Sequence, residues 1–181
     1  MSSIDEDTFL LPLTNMQQGM LFHTLLEPES GAYFQQFVLR LKGALDVPDF
    51  EQAWRQVLER HDALRAGFVW EGRERPAQII HNHAAAPLVE IDWRHIAEAD
   101  QVDRLQTFLR EDREAPFDLA RPPLMRFTII WMTDDACVFV WSHHHLLLDG
   151  WSTGIVLEEF ATIYNALRCG LSLRSEEHTS E

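Results

Sequence analysis

The chain has 181 residues, of which 46% are hydrophobic, enough to bury the core of one domain and too many for a disordered chain. Its 15 Lys and Arg against 29 Asp and Glu give a net charge of −14, so a nucleic-acid backbone would be repelled over most of the surface. No apolar run approaches the roughly 18 residues of a membrane helix, residues 1–7 are acidic where a signal peptide is basic, and the two cysteines lack metal or redox spacing. We therefore expect a cytoplasmic domain whose partners include neither nucleic acid nor membrane.

Four helices are predicted from capping residues and from the helical spacing of apolar side chains. Thr14 followed by Gln17 indicates a capping box at the start of a first helix, and Asp46 begins a second. The third and fourth run from about residue 100 to 113 and from about residue 152 to 168. The residues expected to face the core are Met16, Met20, Leu21 and Leu25 in the first helix, Phe50, Trp54, Val57, Leu58 and His61 in the second, Val102, Leu105, Phe108 and Leu109 in the third, and Val156, Phe160, Ile163 and Leu167 in the fourth.

Strands are predicted where apolar, β-branched and aromatic residues alternate or run together between turn residues. The predicted strands are residues 37–41, 64–70, 78–80, 88–92, 124–132 and 136–142. The last two are the most apolar and are joined by Thr133-Asp134-Asp135, which indicates an antiparallel pair in the centre of a sheet. Helices mixed with largely antiparallel strands predict an α+β layered domain in which helices cover the sheet.

The last eight residues, 174–181, differ from the rest because they contain no apolar side chain and follow the helix-ending Gly170. Their sequence resembles the in-frame translation of a sequencing adapter, so we expect a non-native tail; an ordinary disordered tail is the alternative. The domain is therefore expected to occupy residues 8–173 and to be truncated at its C-terminal end.

One segment, residues 141–152, places several ionisable side chains beside the most apolar strand. If the strand continues through the histidines, His143 and His145 lie on one face and His144 lies on the other. Asp149 follows where strand gives way to helix, so its carboxylate can accept hydrogen bonds from free helical N–H groups, and Gly150 would permit a tight turn.

Spacing alone leaves three interpretations of this segment open. The histidines could be hydrogen-bonded core residues with Asp149 as a helix cap. His143 and His145 could bind zinc, although the sequence places no third ligand. One imidazole could instead be a general base, because an ordinary histidine pKa of about 6.5 suits proton transfer near neutral pH.

Three motifs together resemble those of nonribosomal peptide synthetase condensation domains. Residues 144–150, His-His-Leu-Leu-Leu-Asp-Gly, match the HHxxxDG signature of that family. Residues 13–23 are similar to its opening motif and residues 60–68 to its RHxxLRxxF motif, in the family's order. The resemblance implies a fold like that of chloramphenicol acetyltransferase, with two lobes around a tunnel, of which residues 8–173 would form the N-terminal lobe.

The resemblance also implies a reaction. The amine of an aminoacyl acceptor attacks the thioester of an acyl or peptidyl donor and forms an amide, and each substrate is held on the 4'-phosphopantetheine of a carrier domain. No metal and no directly bound cofactor are implied. The implied partners are the donor and acceptor carrier domains, the C-terminal lobe and an adjoining adenylation domain. Without the second lobe, the fragment is expected to be inactive.

Site residues follow from the match to the signature. His145 is implied to be the catalytic histidine that faces the tunnel, His144 its packing neighbour and Asp149 a structural residue. Whether His145 removes a proton or stabilises the tetrahedral intermediate stays open. His143 could line the tunnel as well, but a structural hydrogen bond to the neighbouring strand is preferred.

Two arginines flank the second motif. Arg60 and Arg65 lie near a helix C-terminus, where a favourable interaction with the helix dipole would already explain them. A buried Asp149 would require a cationic partner, however, and the family pattern suggests Arg60, with Arg65 as a supporting residue. Trp141 and Trp151, on either side of the histidines, are expected to pack in the core.

Other members of the superfamily remain as alternatives: an epimerisation domain, a free-standing acyl-CoA transferase and a non-catalytic carrier-docking module. Residues 13–23 and 60–68 look more like condensation than epimerisation. Retention of both His145 and Asp149 argues against a non-catalytic module.

Overall fold

The computed structural model describes residues 9–85 and 87–171, so the predicted non-native tail lies outside the described residues. The described chain contains both strands and helices, with two short 3-10 helices at Pro28–Ser30 and Asp62–Arg65. Its main elements are β1 (Phe9–Pro12), α1 (Asn15–Leu26), β2 (Phe34–Lys42), α2 (Val47–Arg60), β3 (Ala66–Val69), β4 (Ala77–Ile80), β5 (Leu88–Asp92), α3 (Glu98–Glu114), β6 (Met125–Thr133), β7 (Ala136–His144) and α4 (Gly150–Arg168).

Three of the helices begin at the capping residues that the sequence predicts. The Gln17 N–H donates to Thr14 Oγ1 at 3.2 Å and the Thr14 N–H donates to Gln17 Oε1 at 3.0 Å, which completes the capping box of α1. Asp46 accepts from the Asp49 N–H at the start of α2, and Asp149 accepts from a backbone N–H of α4.

The larger sheet has the strand order β2-β7-β6-β5, with β6 and β7 antiparallel at its centre, as predicted, and β5 parallel to β6. Helices α2 and α4 cover one face, where Trp54 packs against Phe127 with ring centroids 4.3 Å apart. Helix α3 covers the other face through Leu105, which lies in a cluster with Ile130 and Val138. This arrangement confirms the predicted α+β sheet between helical layers.

A smaller antiparallel sheet has the order β1-β4-β3 and contains the strand that sequence analysis missed. All four residues of β1 are exposed, so no alternation of buried and exposed side chains marks it. Its pairing with β4, almost 70 positions along the chain, creates the strand. The predicted strand 64–70 is shorter than expected, because residues 62–65 form a 3-10 helix and β3 begins at Ala66.

Several apolar side chains predicted to be buried lie on the surface. Met16 is 73% exposed, Val102 54% and Trp151 82%, whereas Trp141 is fully buried as predicted. Helix α1 buries only Leu21, and Trp151 lies in the first turn of α4 on its outward side. Together, the exposed apolar side chains of β1, α1 and α4 are Phe9, Leu10, Leu11, Met16, Phe22, Leu25, Leu26, Trp151 and Ile155.

Within the described ranges, no helix is long and apolar enough to cross a lipid bilayer.

Candidate active site

The segment with the histidines connects the centre of the large sheet to α4. Strand β7 ends at His144 and α4 begins at Gly150, so residues 144–149 form a short connection, the histidine loop. The His145 N–H donates to the Tyr33 carbonyl at 2.8 Å and the Leu147 N–H donates to the His144 carbonyl at 3.0 Å. Because the strand stops before His145, the expected strand face shared by His143 and His145 does not form.

His143 belongs to the core under α2 and α4. Its ring is fully buried, lies nearly parallel to the ring of Phe37 with centroids 5.8 Å apart, and also contacts Trp141. Its Nδ1 lies 3.3 Å from the His144 carbonyl, and its Nε2 has no hydrogen-bond partner among the described residues. The hydrogen bond expected with the neighbouring strand is therefore made within β7 itself.

His144 points to the opposite face of the sheet and is also buried. The Leu146 N–H donates to its Nδ1 at 3.1 Å, and its Nε2 lies 3.4 Å from Thr24 Oγ1 on α1. The ring forms part of the lining of a cleft of about 330 Å³ together with Tyr33 and Phe117. His144 thus links the histidine loop to α1.

His145 is half-buried in the loop, and its Nδ1 lies 2.7 Å from the Leu148 carbonyl. A carbonyl oxygen can only accept, so Nδ1 must carry a proton. In the neutral ring the lone pair is then on Nε2, where it can accept a hydrogen bond or a proton. The loop therefore fixes the tautomer that general-base or amine-positioning chemistry requires.

Asp149 is exposed, which contradicts the expectation that it is buried. Its Oδ1 accepts from the Ser152 N–H at 2.7 Å, and this hydrogen bond, with further contributions from the Ser152 side chain and the nearby His145, lowers the pKa of the carboxyl group. Asp149 is the N-cap of α4, as its place between strand and helix predicted. Gly150 was expected to permit a tight turn, but it has no positive φ and a Cβ there would meet no atom within 4 Å, so the conformation at this position does not require glycine.

The predicted ion pair between Arg60 and Asp149 is wrong. Arg60 Nη1 lies 2.5 Å from Glu159 Oε1 in the middle of α4, and His61 Nε2 lies 2.5 Å from the other oxygen of the same carboxylate. Burial would raise the pKa of Glu159, but the hydrogen bonds from Arg60 and His61 outweigh it and lower that pKa. An exposed capping aspartate needs no buried cation, so nothing draws Arg60 toward the histidine loop.

Arg65, predicted only as a supporting residue, is the buried arginine of the second motif at 8% exposure. Its Nη1 donates at 2.6 Å to the carbonyls of Leu58 and Glu59, which belong to the last turn of α2. Its Nε donates to the His81 carbonyl at 2.8 Å, and Nη2 pairs with Asp62. Arg65 therefore closes the C-terminus of α2, as the helix-dipole interpretation of the motif suggested.

The zinc interpretation finds no support in this geometry. His143 lies in the core, whereas His145 lies in the loop, so they do not form a pair of ligands on one strand. Among residues 9–85 and 87–171, no group of three or more His, Cys, Asp or Glu side chains is arranged to hold a metal ion.

Acid should destabilise the fold through the two buried histidines. Burial lowers the pKa values of His143 and His144 to about 4, from an ordinary 6.5 that applies to the unfolded chain. The unfolded chain therefore binds more protons between these values, and the stabilisation present above pH 6.5 is lost as the pH falls toward 4, on the order of 3 kcal/mol for each histidine. Urea unfolding at a series of pH values should show this loss, and His143→Phe should reduce its slope. An unchanged slope in that variant would contradict the assignment.

These features define an α+β lobe that presents one half-buried histidine in a fixed tautomer beside a second, buried histidine. Residues 9–180 match the family model of the condensation domain, and the chain belongs to that family. The membership predicted from the three motifs is thereby confirmed.

Among its relatives, the chain is 47% identical over 158 residues to one component of the linear gramicidin synthase of Brevibacillus parabrevis. It is 42% identical over 168 residues to bacitracin synthase 1 of Bacillus licheniformis. These matches cover 87% and 93% of this chain but 3% of each relative.

Among solved structures, the starter condensation domain of the rhizomide synthetase RzmA has a TM-score of 0.81 at 24% identity, over 92% of this chain and 41% of that chain. The first condensation domain of the calcium-dependent antibiotic synthetase has the same TM-score at 23% identity, over 92% of this chain and 37% of that chain. Both confirm the fold, and this chain spans about two fifths of their length.

Proposed function

We propose that the chain is the N-terminal lobe of a condensation domain that joins a carrier-bound acyl or peptidyl thioester to the amine of a carrier-bound aminoacyl acceptor. The observation that carries the proposal is His145: its Nδ1 is engaged by the Leu148 carbonyl at 2.7 Å, which leaves the lone pair on Nε2 for a substrate. The family membership and the synthetase names of the relatives support the same reaction.

The proposed reaction does not require the histidine to remove a proton from most of the amine. An α-amino group has a reference pKa of about 7.7 to 8.0, so a useful fraction is already neutral near pH 7. The amine forms a C–N bond to the thioester carbonyl, the C–S bond breaks, and the amine's proton ends on the departing sulfur. His145 Nε2 accepts a hydrogen bond from the attacking amine, positions it, and stabilises the positive charge of the tetrahedral intermediate.

The proposed partners follow from the same reaction. Two carrier domains present the substrates on phosphopantetheine arms, and an adenylation domain loads the acceptor. A second lobe covers the exposed apolar side chains of β1, α1 and α4, since exposed apolar surface beyond what a monomer usually shows commonly marks an interface. The limited share of each solved domain that this chain covers supports a further lobe.

The decisive experiment uses a complete two-lobed domain that contains residues 8–173, with separately loaded donor and acceptor carriers. We expect mass spectrometry to detect a dipeptide on the acceptor carrier. Incorporation of solvent deuterium at the donor Cα without a dipeptide would instead indicate epimerisation. Acyl transfer from an added acyl-coenzyme A to a free amine, without transfer between the carriers, would indicate a free-standing acyltransferase, and either result would overturn the proposal.

A further inference from the structure

Helix α1 is joined to the histidine loop by side chains from two of its turns. Gln17 Nε2 donates to the Leu146 carbonyl at 3.4 Å, and Thr24 Oγ1 lies 3.4 Å from His144 Nε2. Thr24 is separated from His144 by 120 positions in sequence, so no local pattern indicates the contact. Both backbone polar groups of Leu146 are thereby held by hydrogen bonds, the carbonyl by Gln17 and the N–H by the His144 ring.

The hydrogen bonds through Thr24 have a single consistent direction. Thr24 Oγ1–H donates to the Met20 carbonyl at 2.8 Å, so the hydroxyl oxygen is left as an acceptor. His144 Nδ1 accepts from the Leu146 N–H at 3.1 Å and so carries no proton. Burial keeps this ring neutral at pH 7, with its pKa lowered to about 4, and its one proton is therefore on Nε2, facing Thr24.

The two neighbouring histidines of the loop are thus held in opposite tautomers, His144 with its proton on Nε2 and His145 with its proton on Nδ1. If Thr24 could not accept, the Nε2–H of His144 would be buried without a partner, and this cost would raise the share of the alternative tautomer, whose Nδ1–H faces the Leu146 N–H. Two donors cannot pair, so Leu146 would lose its acceptor and the turn that carries His145 would rearrange.

We propose that Thr24 is a positioning residue that fixes the tautomer of His144 and, through the Leu146 N–H, the conformation in which the histidine loop presents His145. This inference rests on the proposed condensation activity for its kinetic consequence, but the tautomer itself is independent of that activity.

The test compares Thr24→Val, which is nearly isosteric but has no hydroxyl group, with Thr24→Ser, which keeps the hydroxyl group, in the complete domain with loaded carriers. We expect Thr24→Val to lower kcat for dipeptide formation by about 10- to 100-fold, as a misplacement of up to about 1 Å can, while KM for the acceptor carrier stays unchanged. Thr24→Ser should restore kcat to within about 3-fold of wild type.

Thr162 provides a matched control. Its hydroxyl also donates to the carbonyl four residues earlier, Glu158, at 2.9 Å, but it lies on the exposed face of α4. Thr162→Val therefore removes the same kind of bond without touching His144, and it should leave kcat unchanged. Thr24→Ala serves as a second variant should valine impair folding.

The direct readout is the pair of imidazole ¹⁵N shifts of His144, measured on the same proteins. Wild type and Thr24→Ser should show the proton on Nε2, and Thr24→Val should show a mixed or reversed tautomer. A wild-type kcat, an unaltered tautomer or a failure of serine to rescue would each overturn the proposal. If wild type forms no dipeptide, the proposed function fails, whereas the ¹⁵N shifts still decide the role of Thr24.

Discussion

Replacing His145 by alanine in the complete domain should reduce dipeptide formation by roughly 10²- to 10⁴-fold, the range expected when a positioned acid–base or hydrogen-bonding group is removed. The substitution removes His145 Nε2. Among the described residues, this is the only imidazole nitrogen of the histidine loop whose lone pair is free to accept from a substrate. The ring is half-buried and makes one hydrogen bond, to the Leu148 carbonyl, so the fold should persist.

Single-turnover measurements with pre-loaded carriers provide the appropriate assay, since they report the bond-forming step separately from carrier exchange. His83→Ala is a suitable control, because His83 is an exposed histidine between β4 and β5. Its rate should equal that of wild type. Dipeptide formation by His145→Ala at the wild-type rate, with the melting temperature unchanged, would show that the catalytic assignment is wrong.

Asp112→Ala should lower the free energy of unfolding by about 3 kcal/mol, because it breaks a buried ion pair. Asp112 is a nearly buried carboxylate near the end of α3, with a side-chain exposure of 7%. It accepts from Arg126 Nε and Gln36 Nε2 at 2.6 Å each and from Ser142 Oγ at 2.5 Å. Its removal leaves the Arg126 guanidinium, stacked 4.4 Å above the Phe117 ring, without its carboxylate partner.

Urea unfolding of wild type and variant measures the loss, and Asp134→Ala provides the comparison. Asp134 pairs with Arg94 at 3.0 Å, but its side chain is 94% exposed, so its removal should cost less than about 1 kcal/mol. A double-mutant cycle of Asp112→Ala with Arg126→Met should show strong coupling. Equal losses for Asp112→Ala and Asp134→Ala would show that the buried network contributes no more than a surface pair.

Sequence analysis predicted those parts of the fold that are determined locally. Thr14, Asp46 and Asp149 begin helices because a capping side chain reaches only two or three residues ahead. The central strands were predictable because both of their faces are buried and their sequences are correspondingly apolar. Strand β1 was not predictable, because its partner strand lies far along the chain and its own side chains are exposed.

The site likewise has a part that is determined locally and a part that depends on how distant elements pack. His144, His145 and Asp149 were identified because they lie within one short motif whose spacing is visible in the sequence. The partner predicted for Asp149 was wrong because ion pairs depend on how α2 packs on α4, which placed Glu159 beside Arg60. The contact of Thr24 with His144 depends likewise on the packing of α1 against the end of β7, and no pattern in either segment encodes it.

The histidine loop makes its hydrogen bonds with α1, with Tyr33 just before β2, with Leu124 just before β6 and with the first turn of α4. All of these partners precede residue 154, so one contiguous segment of the gene encodes both the loop and the residues that hold it. A recombination junction placed beyond Arg168 would exchange everything downstream while leaving the geometry of His145 intact. A junction between α1 and β7 would combine a loop from one parent with a supporting helix from another. A junction after α4 therefore separates no residue of the loop from these supports, although it exchanges the second lobe proposed to cover the exposed apolar side chains of β1, α1 and α4.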